Sequence, residues 1–128
     1  MEATGTFSVD ITPRAADPDT DPLGQLRIRK TWSGDLEGIG HGVMISGGDP
    51  TLGSAGYVAM EVVEGSLGGR RGSLAFMQLG VLVDGDHELV YRVVPGSGTE
   101  ELAGITGTLE LEIVDGTHRY RLEHDLPA

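Results

Sequence analysis

One carboxylate stands out in a segment that is otherwise apolar. Glu61 shares a strand face with Tyr57, Ala59 and Val63, while Val58, Met60 and Val62 fill the opposite face. A carboxylate so placed must find a cation, open onto a solvated cavity, or keep its proton with a raised pKa. The last state is the one general acid–base chemistry uses. An ion pair across the sheet, to Lys30 or Arg92, is the purely structural alternative. On a second strand, Glu37 and His41 share a face with Ile39, Val43 and Ile45, where they could line a cavity or meet solvent. Gln78 follows Leu74 and Phe76 on one face, Tyr91 sits between Leu89 and Val93, and Trp32 shares its face with Leu26, Ile28 and Lys30. Glu61, Glu37 and His41 are therefore the candidate catalytic groups, and Trp32, Tyr57, Phe76, Gln78 and Tyr91 the candidate ligand contacts. A few polar tips in an apolar interior orient a small molecule, or else they satisfy one another in a core.

Other chemistry is excluded by pattern. The stretch Pro95-Gly96-Ser97-Gly98 has the look of a phosphate loop, but Thr99-Glu100-Glu101 follows where a Lys and a helix are required, so acid would meet phosphate. It reads as a structural connection between two strands. Asp17-Pro18-Asp19-Thr20-Asp21-Pro22 starts like a calcium loop, then carries Pro22 in place of the essential Gly and Ile28 in place of the closing Glu. It reads as a mobile acidic connection. His41, His87, His118 and His124 include no close ligand pair, and no metal site is expected. There is no G-x-S-x-G elbow. Arg70-Arg71 in its Gly-rich turn reads as solvated.

The elements that must position these residues are strands. Phe7, Val9 and Ile11 alternate with Thr6, Ser8 and Asp10, and Tyr120, Leu122, His124 and Leu126 alternate with Arg119, Arg121, Glu123 and Asp125. Eight such segments fall near residues 4–12, 24–33, 35–46, 55–64, 72–82, 88–94, 105–114 and 118–126. Only Thr99–Ala103 could form a single helical turn, closed by Gly104. Asp84-Gly85 and Asp115-Gly116 are tight-hairpin signals, and Gly47-Gly48-Asp49-Pro50 and Gly68-Gly69 mark two more reversals. The chain is all-β, and eight antiparallel strands in one domain over residues 1–128 can close into a barrel that leaves no edge exposed, while the pattern alone also allows a sandwich. A barrel of that size is filled by side chains or holds one small ligand.

Charge and composition narrow the partners. With 20 acidic and 9 basic residues, the net charge of −11 repels phosphate backbones and anionic membranes. Neither nucleic acid nor a membrane is an expected partner. The 21 glycines show no collagen-like period and serve turns and bends. The absence of cysteine excludes disulfides and thiolate chemistry and fits a cytoplasmic protein, as does the lack of a signal-like start. Around 57–63 and 74–82 both strand faces are largely apolar, more than a barrel wall in water requires. A second subunit is the simplest cover, so a homo-oligomer is expected.

Four segments, "ATGTFSV" at 3–9, "KTWSGDLEGIG" at 30–40, "EVVEGSLGGRRGS" at 61–73 and "VVPGSGTEELAGITG" at 93–107, together resemble domain of unknown function 3224, a bacterial family. The resemblance runs over nearly the whole chain, and residues 95–104 are its most specific part. It implies a small eight-stranded, calycin-type barrel similar to plant allene oxide cyclases, usually oligomeric and without an obligatory cofactor. It supplies no activity. Glu61 falls where the family pattern has Glu, but Val62 follows it in place of the usual Arg, and Met77-Gln78 stands where relatives often carry Gln-His. That departure weakens any His-based chemistry carried over from relatives.

Three functions compete. The first is a cofactor-independent isomerase or cyclase that folds a small, largely apolar substrate into a reactive conformer, with Glu61, Gln78 and Tyr91 as its polar groups. The second is a non-catalytic barrel that carries such a molecule. The third is a packed structural module.

Overall fold

The structure, a computed structural model, describes residues 1–127. Eight strands follow one another: β1 (Glu2–Pro13), β2 (Gly24–Gly34), β3 (Leu36–Asp49), β4 (Ser54–Leu67), β5 (Arg70–Val83), β6 (Asp86–Val93), β7 (Thr106–Val114) and β8 (Thr117–Asp125). Each pairs antiparallel with its neighbour in sequence, and β1 pairs with β8 to close the barrel. All eight segments expected from the alternation are strands, mostly a few residues longer than their patterns. No helix among the described residues is long and apolar enough to cross a membrane.

Local chemistry fixes the reversals. Asp84-Gly85 and Asp115-Gly116 take positive φ at both positions (49° and 83°, 50° and 78°), the geometry of two-residue hairpins whose twist matches that of the strands. The acidic connection holds a short 3-10 turn, Pro18–Thr20, in which the Asp17 carboxylate accepts the Asp19 N–H at 2.9 Å. Its charge is used to cap the turn.

The two ends of the barrel are built differently. At the end where the N-terminus enters, the connection from β6 to β7 runs along β5: Val94 and Thr99 donate N–H groups to the Ala75 and Ser73 carbonyls. The Ala75 and Ser73 amides in turn donate to Ser97 Oγ and Thr99 Oγ1 at 3.0 Å each. The Ser97 and Thr99 hydroxyls are thus engaged by β5. A single 3-10 turn, Glu100–Leu102, then drops Leu102 and Ile105 into the interior, where both are fully buried. With Leu36, Leu67 and Leu74 they plug this end. Between β6 and β7 the register is one pair, Arg92 with Thr108. The opposite end, ringed by the 84–85 and 115–116 hairpins, is open.

Aromatics are scarce but concentrated. Trp32 contacts Phe7, Phe76 and Tyr120 at centroid distances of 4.7, 5.4 and 5.0 Å, and Phe76 meets Tyr91 edge-on at 5.4 Å. Of the Phe and Tyr side chains only Tyr57 lies outside this stack. The Tyr120 hydroxyl accepts the Leu36 N–H and donates to the Ser33 carbonyl, each at 3.0 Å, and so pins the corner between β2 and β3.

Candidate functional site

Inward parity on β2, β4, β5 and β6 brings Lys30, Trp32, Glu61, Phe76 and Tyr91 to one level of the interior. Lys30 Nζ donates to Glu61 Oε1 at 2.6 Å and to Tyr91 Oη at 2.7 Å. Tyr91 Oη donates to Glu61 Oε1 at 3.0 Å, and Trp32 Nε1 donates to Glu61 Oε2 at 3.3 Å. The ammonium also lies 4.6 Å from the centre of the Phe7 ring, within cation–π reach. Lys30 and Glu61 are each 5% exposed, so the pair is cut off from water. Both carboxylate oxygens are engaged, and the structural alternative for Glu61, an ion pair to Lys30, is the one realised.

Desolvation sets the local acidity. Burial pulls the Lys30 ammonium below its ordinary value, opposed by the Glu61 charge and hydrogen bond. Burial, reinforced by the neighbouring Glu61, pushes the Tyr91 phenol well above its ordinary value. The room for this cluster comes from β3. A Cβ added at Gly40 would clash with Glu61 Oε2 and lie 3.2 Å from Trp32 Nε1, and one at Gly42 would lie 2.7 Å from Glu61 Cβ. The alternate glycines of Gly38-Ile39-Gly40-His41-Gly42 leave the inner side of β3 bare, and the Glu61 carboxylate lies across it.

A second polar pair sits nearer the open end. Gln78 Nε2 donates to Tyr57 Oη at 2.6 Å. Burial raises the Tyr57 pKa, partly offset by that hydrogen bond. Beyond it lies a cavity of about 360 Å³ lined by Leu26, Met44, Ser46, Tyr57, Leu82 and His87 among others. A larger groove of about 590 Å³ runs along the outer wall over β1, β7 and β8. Its side chains are solvated strand residues such as the exposed Arg121–Glu110 pair at 2.6 Å, and it does not reach the interior. Among the described residues no three His, Asp or Glu side chains converge where a metal ion could bind.

Of the residues singled out in the sequence, Glu61, Trp32, Phe76 and Tyr91 come together, and Tyr57 and Gln78 form the pair nearer the mouth. Glu37 and His41 do not join them. Both lie on the outer wall, exposed, because the inner face of β3 is its glycine face. Lys30 was foreseen only as a partner for Glu61 and proves central. Leu26, Met44, Ser46, Leu82 and His87 were not foreseen as lining residues. For Leu26, Met44 and Leu82 the signal was parity alone, each sharing a strand face with Lys30, Gly42 or Gln78.

The fold and its interior define a class: a small closed antiparallel β-barrel, plugged at one end and open at the other, with a sealed ion pair between. The chain belongs to the DUF3224 family of proteins of unknown function, whose pattern it matches over residues 3–124. It is similar to a DUF3224 protein of unknown function from Shewanella oneidensis MR-1 whose crystal structure is known. The two are 39% identical, the alignment covers 100% of this chain and 98% of that one, and the TM-score is 0.92. No functionally curated protein matches the chain.

Proposed function

We propose that this barrel binds a small, largely apolar molecule in its open mouth, with Tyr57 and Gln78 as the polar contacts at the inner end. The observation that carries the reading is the cavity of about 360 Å³ at the one end of the interior that the chain leaves unfilled. Its size and apolar lining with a few polar tips match small-molecule sites, which span about 300–1,000 Å³. The sealed cluster beneath supports binding over chemistry, because Glu61 is buried, is held by Lys30, Tyr91 and Trp32, and does not line the mouth.

Binding of the neutral fluorophore N-phenyl-1-naphthylamine tests this. Leu82→Trp fills the mouth and is expected to weaken uptake at least tenfold by a steric block. Glu112→Gln, on the outer wall of β7, is expected to leave it unchanged. Uptake that ignores Leu82→Trp, or that follows Glu112→Gln, would overturn the assignment.

A second reading, a cofactor-free isomerase or cyclase, draws on the resemblance to allene oxide cyclases. One observation favours it: the Tyr57–Gln78 pair stands between the mouth and the Lys30–Glu61–Tyr91 cluster, so a bound molecule would have a phenol available to polarise it. In that case Tyr57→Phe abolishes turnover while fluorophore binding persists.

A further inference from the structure

We propose that the outer face of β3–β6 is the interface of a two-fold symmetric dimer of this chain. This goes beyond the mouth, with which the face shares Gly56 and Val81 as lining residues. Across these four strands the register aligns three outward rows. Ile45, Val58, Leu79 and Val90 form the middle row. Val43, Met60, Met77 and Arg92 form the row on one side, and Gly47, Gly56, Val81 and Glu88 the row on the other. Val58 (49%), Met60 (54%), Val62 (50%), Leu79 (44%) and Val90 (50%) are about half exposed, with Val43 and Ile45 at 37% each. Side chains of that number and exposure present on the order of 600 Å² of apolar surface, the upper end of what monomers leave open. A standard interface needs about 800 Å² from each partner, which the polar rim of this patch would complete.

The occupant is a second copy because the face complements itself. A two-fold axis lying along the middle row turns each strand end for end and sets the outer rows against each other. Met60 then faces Gly56 of the partner subunit, Met77 faces Val81 of the partner subunit, and Arg92 faces Glu88 of the partner subunit. A long apolar side chain meets a dent: a Cβ added at Gly56 would touch only the Gly80 carbonyl oxygen, at 3.7 Å. The one cation of these rows meets the one carboxylate, and neither has an ion-pair partner within its own chain among the described residues. For a chain of net charge −11, self-association also needs an interface centre free of repulsion. This one has no charge in its middle row.

Sedimentation equilibrium of the full chain tests the geometry, with circular dichroism as the check on folding. A dimer is expected for the native sequence. Met60→Glu and, independently, Gly56→Arg should each weaken it at least tenfold by placing charge or bulk in the complementary position. Arg92→Glu and Glu88→Arg should each weaken it, and the double reversal should return the constant to within about threefold of the native one. That rescue is specific to the juxtaposition. A monomer at tens of micromolar, a dimer indifferent to both Met60→Glu and Gly56→Arg, or a double reversal no better than the singles would overturn the proposal.

Discussion

The two ends of the barrel interior are made of similar residues put to opposite uses. At the plugged end Leu36, Leu67, Leu74, Leu102 and Ile105 are each 3% exposed or less and pack against the aromatic stack. At the mouth Leu26, Met44 and Leu82 are only half-buried and face open space. Both sets are inward-pointing aliphatics on strands of one sheet. What separates them is the chain that follows β6, which supplies two extra apolar side chains to one end and nothing to the other. A barrel of this size has interior enough for one core or one ligand, and this chain divides it, with the Lys30–Glu61 pair at the border.

The border is where the division breaks most easily. Glu61→Ala leaves the Lys30 ammonium buried beside aromatic rings with no counter-charge, and strands Trp32 Nε1–H as well. Losing one partner of a buried pair costs about 3–5 kcal/mol, and urea unfolding is expected to show a loss of that order. Adding Lys30→Met to Glu61→Ala should recover part of it, because the unpaired charge goes with the lysine. A double variant as unstable as the single would mean that the ammonium is not the source of the cost. Glu61→Gln, which keeps acceptor and shape, should fall between native and Ala.

Next in size is a direct contrast between the ends. Leu102→Ala opens a cavity in the plug and should cost about 2–5 kcal/mol, as large-to-small changes in packed cores do. Leu82→Ala removes the same atoms at the half-open mouth, where solvent already reaches, and should cost less than about 1 kcal/mol. Equal losses would erase the distinction between a filled and an unfilled end.

How much of this was legible depended on which face of a strand advertised itself. The eight strands and their turns followed from period-two alternation and Asp-Gly signals, because hairpin geometry is local chemistry; closure into a barrel rather than a sandwich is non-local, and the family resemblance implied it. The polar cluster was half legible: Glu61 stood out, and Lys30 was named among its possible partners, since an inward carboxylate in an apolar strand demands one. β3 misled. Its apolar residues Ile39, Val43 and Ile45 share parity with Glu37 and His41, so that face read as a candidate lining. The inner face was the silent one, Gly38, Gly40 and Gly42, with the Glu61 side chain from β4 lying against Gly40 and Gly42. Parity identifies a core face only when the core is filled from the strand itself. The same inversion left apolar residues on the outer wall, where they make the surface proposed above as an interface.

The smallest effect separates the same two regions by titration. Tyr91, in the sealed cluster, has its pKa raised well above 10.0 by burial and by Glu61, whereas Tyr57, nearer the mouth, is raised by burial alone and relieved by Gln78. A phenol whose folded value lies above its unfolded one contributes stability that is fully present below pH 10 and is lost as pH climbs from there, because the unfolded chain ionises first. Lys30 works the other way. Its folded value lies below 10.5, so the unfolded chain holds the extra proton, and its contribution rises with pH until both forms are neutral. Above about pH 10.5 only the tyrosine limb remains, with a slope that cannot exceed about 1.4 kcal/mol per pH unit for one group. Stability measured between pH 9 and 11.5 should therefore turn downward in the native protein and fall less steeply in Tyr91→Phe, where Tyr57 and Tyr120, also raised by burial, still contribute. Slopes are compared, because Tyr91→Phe also lowers stability at neutral pH by removing hydrogen bonds to Lys30 and Glu61. Tyr57→Phe should change the slope less, since its hydroxyl is held at the edge of the open cavity. If Tyr57→Phe flattened the curve as much as Tyr91→Phe, the mouth would be as dry as the cluster, and the cavity would not be the open site described here.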